Sequence, residues 1–167
     1  MNPHEMRRQV NPKTAADTLR RASKLRPRLA IVLGSGFQSV AQAMTVARAV
    51  PYAKLAGFPK PTVAGHTGKA LIGTLGGTDI VVLSGRAHYY EGHSLETVTF
   101  AIRVLAEYGI KNILLTNAAG GIDRKFCAGE FMQFTDHLNF IGDNPLRGPL
   151  AKDRERFIDL SQIYDHA

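Results

Sequence analysis

Leu29-Ala30-Ile31-Val32-Leu33-Gly34-Ser35-Gly36 is the stretch on which the fold class turns. Five apolar residues in a row, halted by glycines, read as a short buried-type strand running into a tight turn, with a short helix following to Met44. The same pattern returns at Ile113 to Thr116, a second buried-type strand that stops at Asn117-Ala118-Ala119-Gly120-Gly121. Between them, Lys69 to Leu75 and Asp79 to Leu83 read as two strands joined at Gly76-Gly77, a hairpin signal. Glu130 to Thr135, after Gly129, is a further extended run. Ser94 is placed to cap a helix that reaches Tyr108 and closes at Gly109. Upstream, Pro12 follows Asn11 at a first helical position, and Ala15, Ala16, Leu19, Ala22 and Leu25 fall on one face before Arg26-Pro27 ends the helix. Strands mixed with helices, with glycine loops at strand ends, predict an α/β fold: a mixed central sheet flanked by helices. The expected organisation is a basic leader helix over residues 1–28 and a single domain over 29–167.

Composition narrows the class. The chain has 167 residues, 44% of them hydrophobic and 21% charged, which suits one domain with a sizeable core. Its longest apolar runs are far too short to span a bilayer, and no apolar signal segment opens the sequence. One cysteine, Cys127, allows no internal disulfide and fits a reducing cytoplasm, the expected location. The net charge of +7 is concentrated in residues 1–28, which hold eight basic and two acidic side chains. The rest is nearly neutral, so the basicity reads as a solvated helix face. A nucleic-acid-binding module is the minor alternative.

Chemistry is expected at the carboxyl ends of the strands. Gly34-Ser35-Gly36, between a strand and a helix, can turn tightly, present backbone N–H groups and offer the Ser35 hydroxyl to an anion. A dinucleotide fits poorly: Ser39 stands where the fingerprint needs its third glycine, and no acidic residue ends the next apolar run near Val46 to Val50. No Walker-type Gly-Lys-Ser or Gly-Lys-Thr is present. The richest cluster is Ser84-Gly85-Arg86-Ala87-His88-Tyr89-Tyr90-Glu91-Gly92. Arg86 and His88 lie two apart, on one side of an extended loop, where a guanidinium and an imidazole can hold a phosphate. Tyr90 continues that alternation and could bond or stack on a sugar. The plain alternative is a surface loop in which Glu91 pairs with Arg86. His66 sits in Val63-Ala64-Gly65-His66-Thr67-Gly68, between glycines that let a ligand approach. The small residues of Asn117 to Gly121 leave backbone N–H groups open at a strand end.

Taken together, Gly34-Ser35-Gly36, Gly65-His66-Thr67-Gly68, Arg86 through Gly92 and Thr116 through Gly121 resemble, in the same order, the trimeric purine nucleoside phosphorylases. Asp136-His137, Asn144 through Pro149, and Phe157 ahead of Tyr164-Asp165 extend the match over nearly all of the chain from Leu29. The methylthioadenosine phosphorylase branch resembles it less well. Phe37-Gln38 and the small Ala87 depart from the usual pattern, changing the floor of a loop without removing a donor.

The resemblance implies that Ser35, His66, Arg86, His88 and the Ala118 backbone N–H bind phosphate, with Arg86 and His88 central to catalysis. It implies that Tyr90 contacts the ribose, that Glu91 orders its loop and that Phe157 reaches a neighbouring subunit's ribose site. No metal or cofactor is implied, inorganic phosphate being a co-substrate. The expected assembly is a homotrimer without a membrane or a specific nucleic acid as partner. The expected reaction is phosphorolysis of a purine nucleoside to free base and pentose 1-phosphate. The family's base-reading Glu and Asn, a second phosphate-binding Ser and a ribose-side His have no counterpart in the 167 residues, so the expected fold lacks its carboxyl-terminal part. The alternative is a noncatalytic remnant that binds phosphate or self-associates.

Overall fold

The computed structural model describes residues 10–59, 68–146, 159–161 and 163–164. The chain divides into two compact units, Met1–Ala118 and Ala119–Ala167.

The first unit holds all the α-helices and β-strands found among the described residues: α1 (Pro12–Ala22), β1 (Leu29–Leu33), α2 (Gln38–Gln42), β2 (Thr45–Pro51), β3 (Lys69–Leu75), β4 (Thr78–Ser84), α3 (Leu95–Tyr108) and β5 (Asn112–Leu115). The strands form one sheet in the order β2-β3-β4-β1-β5. β1 runs parallel to β4 and β5, while β3 is antiparallel to both β2 and β4. The sheet is therefore mixed and flanked by helices, as the glycine-stopped runs predict.

Period-two geometry explains the apolar run in β1. Ala30 and Val32 face one side with Ile72, Val81 and Leu83, against Leu19 of α1 and Val104 and Leu105 of α3. Ile31 and Leu33 face the other with Ile80, Val82 and Met44, beside Phe37 and Val40 around α2. A strand covered on both faces has no place for a polar residue. Each fully buried aliphatic side chain contributes about 1.5–3 kcal/mol.

Local signals set the element ends. The Asn11 side chain accepts from Lys13 N at 2.9 Å with Pro12 opening the helix, and Ser94 Oγ accepts from Thr97 N at 3.2 Å. Gly76 and Gly77 both take positive φ, 57° and 80°, which a two-residue turn between β3 and β4 requires. In contrast to the expected stop at Arg26-Pro27, α1 ends at Ala22. Ser23 is extended, its hydroxyl accepts from Leu25 N and its carbonyl accepts from Arg26, so local bonds replace the last helical turn. Leu25 still packs on the core.

Two further expectations need correction. β5 is a strand but not a buried one: Leu114 and Leu115 are 53% and 63% exposed. It is an edge strand, with β1 on one side and no strand among the described residues on the other. Glu130 to Thr135, in the second unit, forms no strand. Its Glu130 carboxylate accepts from Cys127 N, and Phe131 is exposed. No helix among the described residues is long and apolar enough to cross a membrane.

Candidate anion site at the strand ends

Because β1, β4 and β5 are parallel, their carboxyl ends lie at the same edge of the sheet. Three of the loops singled out from the sequence therefore start side by side: Gly34–Phe37, Gly85–Gly92 and Thr116–Ala118.

The Gly85–Gly92 loop is wired internally. Glu91 Oε1 accepts from the backbone N of His88 at 2.8 Å and lies 2.6 Å from its Nδ1. A carboxylate at that distance requires the proton on Nδ1, which leaves the Nε2 lone pair to accept from Arg86 Nε at 3.4 Å. Arg86 Nη1 also donates to the Thr116 carbonyl at 2.7 Å. The carboxylate thus goes to His88 rather than to Arg86, and both side chains of the sequence cluster are held in a half-buried position. Tyr90 stacks on the His88 ring at 4.8 Å and 18° while remaining largely exposed. Beneath the loop, the buried Tyr52 hydroxyl donates to the Gly85 carbonyl at 2.7 Å. Burial pushes its pKa well above the ordinary tyrosine range, so it remains a donor at neutral pH.

The first loop is held by a side chain from the third. Thr116, itself buried, donates through Oγ1 to Val32 O at 3.1 Å and accepts there from Gly34 N at 2.9 Å. A Cβ on residue 34 would lie 2.3 Å from the Thr116 carbonyl oxygen, so only glycine permits this approach. Ser35 and Gly36 beyond it are exposed, Gly36 with φ 88°. Ala118 is exposed too, and its carbonyl accepts from the Asn117 side chain.

Of the residues expected to bind phosphate or nucleoside, Ser35, Arg86, His88, Tyr90 and Ala118 all lie on these three loops. His66 and Phe157 fall outside the described residues. Chemically, the arrangement presents one guanidinium, a hydroxyl and turn amides along a single edge, donors suited to an oxyanion, beside an imidazole whose Nδ1 proton faces Glu91 and whose Nε2 accepts from Arg86. Sequence reasoning missed the Thr116 side chain and Tyr52. A hydroxyl at the end of an apolar run hints at the first, whereas nothing local marks the second.

Comparison with known proteins follows the same residues. Residues 28–167 match the model of the phosphorylase superfamily. Purine nucleoside phosphorylase 1 of Bacillus subtilis is 43% identical over 140 residues, covering 83% of this chain and 52% of that protein. The purine nucleoside phosphorylase of Rattus norvegicus is 42% identical over 154 residues, covering 90% and 53%. Among solved structures, isoform 2 of the Schistosoma mansoni enzyme, crystallised with cytosine and ribose-1-phosphate, superposes with a TM-score of 0.84 at 40% identity, covering 93% of this chain and 56% of that one. The chain spans about half the length of the relatives it matches.

Proposed function

The chain belongs to the phosphorylase superfamily, and we propose that it carries the phosphate-holding part of a purine nucleoside phosphorylase. The observation that carries this reading is the Arg86–His88–Glu91 cluster tied to Thr116 where three parallel strands end. In this reading Arg86, His88, Ser35, His66 and the Ala118 N–H hold inorganic phosphate. Tyr90 contacts the pentose, and Phe157 serves a neighbouring subunit's pentose site in a homotrimer. No cofactor takes part, and the setting is cytoplasmic.

The reaction follows from charge. As the bond from C1′ to the purine nitrogen lengthens, its electron pair leaves with the base and positive charge builds on the sugar. A phosphate fixed below C1′ neutralises that charge and then supplies the oxygen that forms the new C1′–O bond, and the proton that hydrogen phosphate gives up ends on the departing purine nitrogen. The products are free purine and pentose 1-phosphate. Holding the nucleophile in place and matching the developing charge provide most of the acceleration. Glu91 keeps the His88 ring oriented, and Arg86 supplies permanent charge.

The reading is tested on the 167-residue protein by calorimetry with inorganic phosphate. Arg86→Ala is expected to weaken binding by more than about tenfold, since each charge-assisted bond contributes on the order of 1.5–3 kcal/mol. Equal affinity in a folded variant overturns the assignment. The activity is read as release of hypoxanthine or guanine from nucleoside in phosphate buffer against phosphate-free buffer. The 167-residue protein alone is expected to release little or none. A version extended with a relative's carboxyl-terminal half is expected to show phosphate-dependent release.

A further inference from the structure

We infer that Thr116 is the positioning residue that sets the first anion loop against Arg86. The inference rests on reading these loops as a phosphate site.

Thr116 makes two kinds of contact at once. Its hydroxyl accepts the Gly34 N–H at 2.9 Å while donating to Val32 O, which fixes the last residues of β1 and the start of the turn. Its carbonyl accepts Arg86 Nη1 at 2.7 Å, which fixes the guanidinium. One buried residue thus determines the spacing between the Ser35 end and the Arg86 end of the donor set. The Gly34 N–H is consumed in this bond, so the donors left to an anion on that loop begin at Ser35. Only the hydroxyl serves the Gly34 loop, and only the backbone serves Arg86, so a side-chain change separates the two tasks. Val32 O keeps a bond from Thr116 N at 3.1 Å when the hydroxyl is removed, so the end of β1 remains paired. What is lost is the clamp on Gly34, and an anion must then order the turn itself.

The experiment uses inorganic phosphate as the probe, with calorimetry and thermal melting run on the same 167-residue samples. Thr116→Val, which keeps the shape and removes the oxygen, is expected to weaken phosphate binding by about tenfold, the scale of one hydrogen bond lost with its partner left unpaired. Thr116→Ser restores the hydroxyl and is expected to bind within about threefold of the parent, a difference below one hydrogen bond. Ser35→Ala is expected to cost affinity in the parent and much less in the Thr116→Val background, because an unclamped turn no longer presents Ser35. Should Thr116→Val fail to fold, the smaller Thr116→Ala is read in the same way. A lowered melting temperature with unchanged phosphate affinity overturns the inference alone, as do additive effects of the two substitutions. Absence of phosphate binding by the parent overturns the phosphate reading, and this inference with it.

Discussion

β4 and β5 flank the same central strand, run in the same direction and end at the same edge, yet they differ in almost everything that follows. β4 is covered on both faces and paired on both sides, by β1 and by the antiparallel β3. The loop it enters is held by Tyr52 from below, by Glu91 from within and by Thr116 from across the sheet. Among the described residues β5 is paired only with β1, its Leu114 and Leu115 are exposed, and the Asn117 side chain bonds only to its neighbour Ala118. Burial belongs to a strand's neighbours rather than to its composition. Thr116 is the exception that joins the two regions: the single buried residue after β5 among those described takes part in the wiring of β4's loop.

The comparison is broken or upheld most sharply by removing equivalent leucines. Leu83→Ala is expected to destabilise the protein by about 2–5 kcal/mol, through lost transfer energy and a cavity between sheet and helices. Leu115→Ala is expected to change stability by no more than about 0.5 kcal/mol, as for surface positions generally. Urea unfolding of the two variants decides the matter. A cost for Leu115→Ala approaching that of Leu83→Ala would mean that β5 is covered in solution.

β1 and β5 show what was legible in the sequence. Leu29–Leu33 and Ile113–Thr116 both read as buried-type strands, and both are strands, because an uninterrupted apolar run carries that information locally. Only the first is buried, since nothing in four residues reports which elements lie beside them. Caps at Ser94 and Gly109 were readable because their hydrogen bonds close within a few residues. Arg86 and His88 stood out by type and spacing alone. The bond from Gly34 to Thr116 spans 82 residues and that from Tyr52 to Gly85 spans 33, so neither could be read before the sheet order was known. The run at Glu130 has local strand propensity, yet among the described residues it joins no sheet.

Tyr52→Phe sharpens the comparison from the β4 side, at an intermediate cost. It leaves the buried Gly85 carbonyl without its donor, and is expected to destabilise by about 1–3 kcal/mol at neutral pH. The alkaline limb gives an independent signature. Burial raises the Tyr52 pKa in the folded state, whereas the unfolded chain releases this proton near the ordinary value of about 10. The folded state is then the more protonated one, so the contribution is complete below pH ~10 and declines as pH rises above it. Stability of the parent, measured by urea titration from pH 8 to pH 11, should fall at the alkaline end, and that of Tyr52→Phe should fall less steeply. Some decline persists in the variant because burial also raises Tyr108. Parallel alkaline limbs would show that the hydroxyl is not held as the geometry describes.

Asn117→Ala addresses the β5 side and carries the smallest expected effect. Asn117 follows a buried, fully engaged residue, and its amide looks like a natural anchor for the turn. Its side chain, however, is exposed and donates only to the carbonyl of Ala118 at 3.2 Å, a contact between adjacent residues that water replaces at little cost. The loop's position is set by Thr116 before the chain reaches residue 117. Stability should therefore change by less than about 0.5 kcal/mol, and phosphate affinity should hold within about twofold, because the donor assigned to this loop is the backbone N–H of Ala118 and not the Asn117 side chain. Calorimetry and urea unfolding on one preparation read both quantities. A loss of stability above about 1 kcal/mol, the scale of a net hydrogen bond, would mean that β5's loop has an anchor of its own and that the two strand ends are wired alike. A loss of phosphate affinity without a loss of stability would instead move Asn117 into the donor set, and the contrast between an engaged loop and an open one would then rest on β4 and β5 themselves.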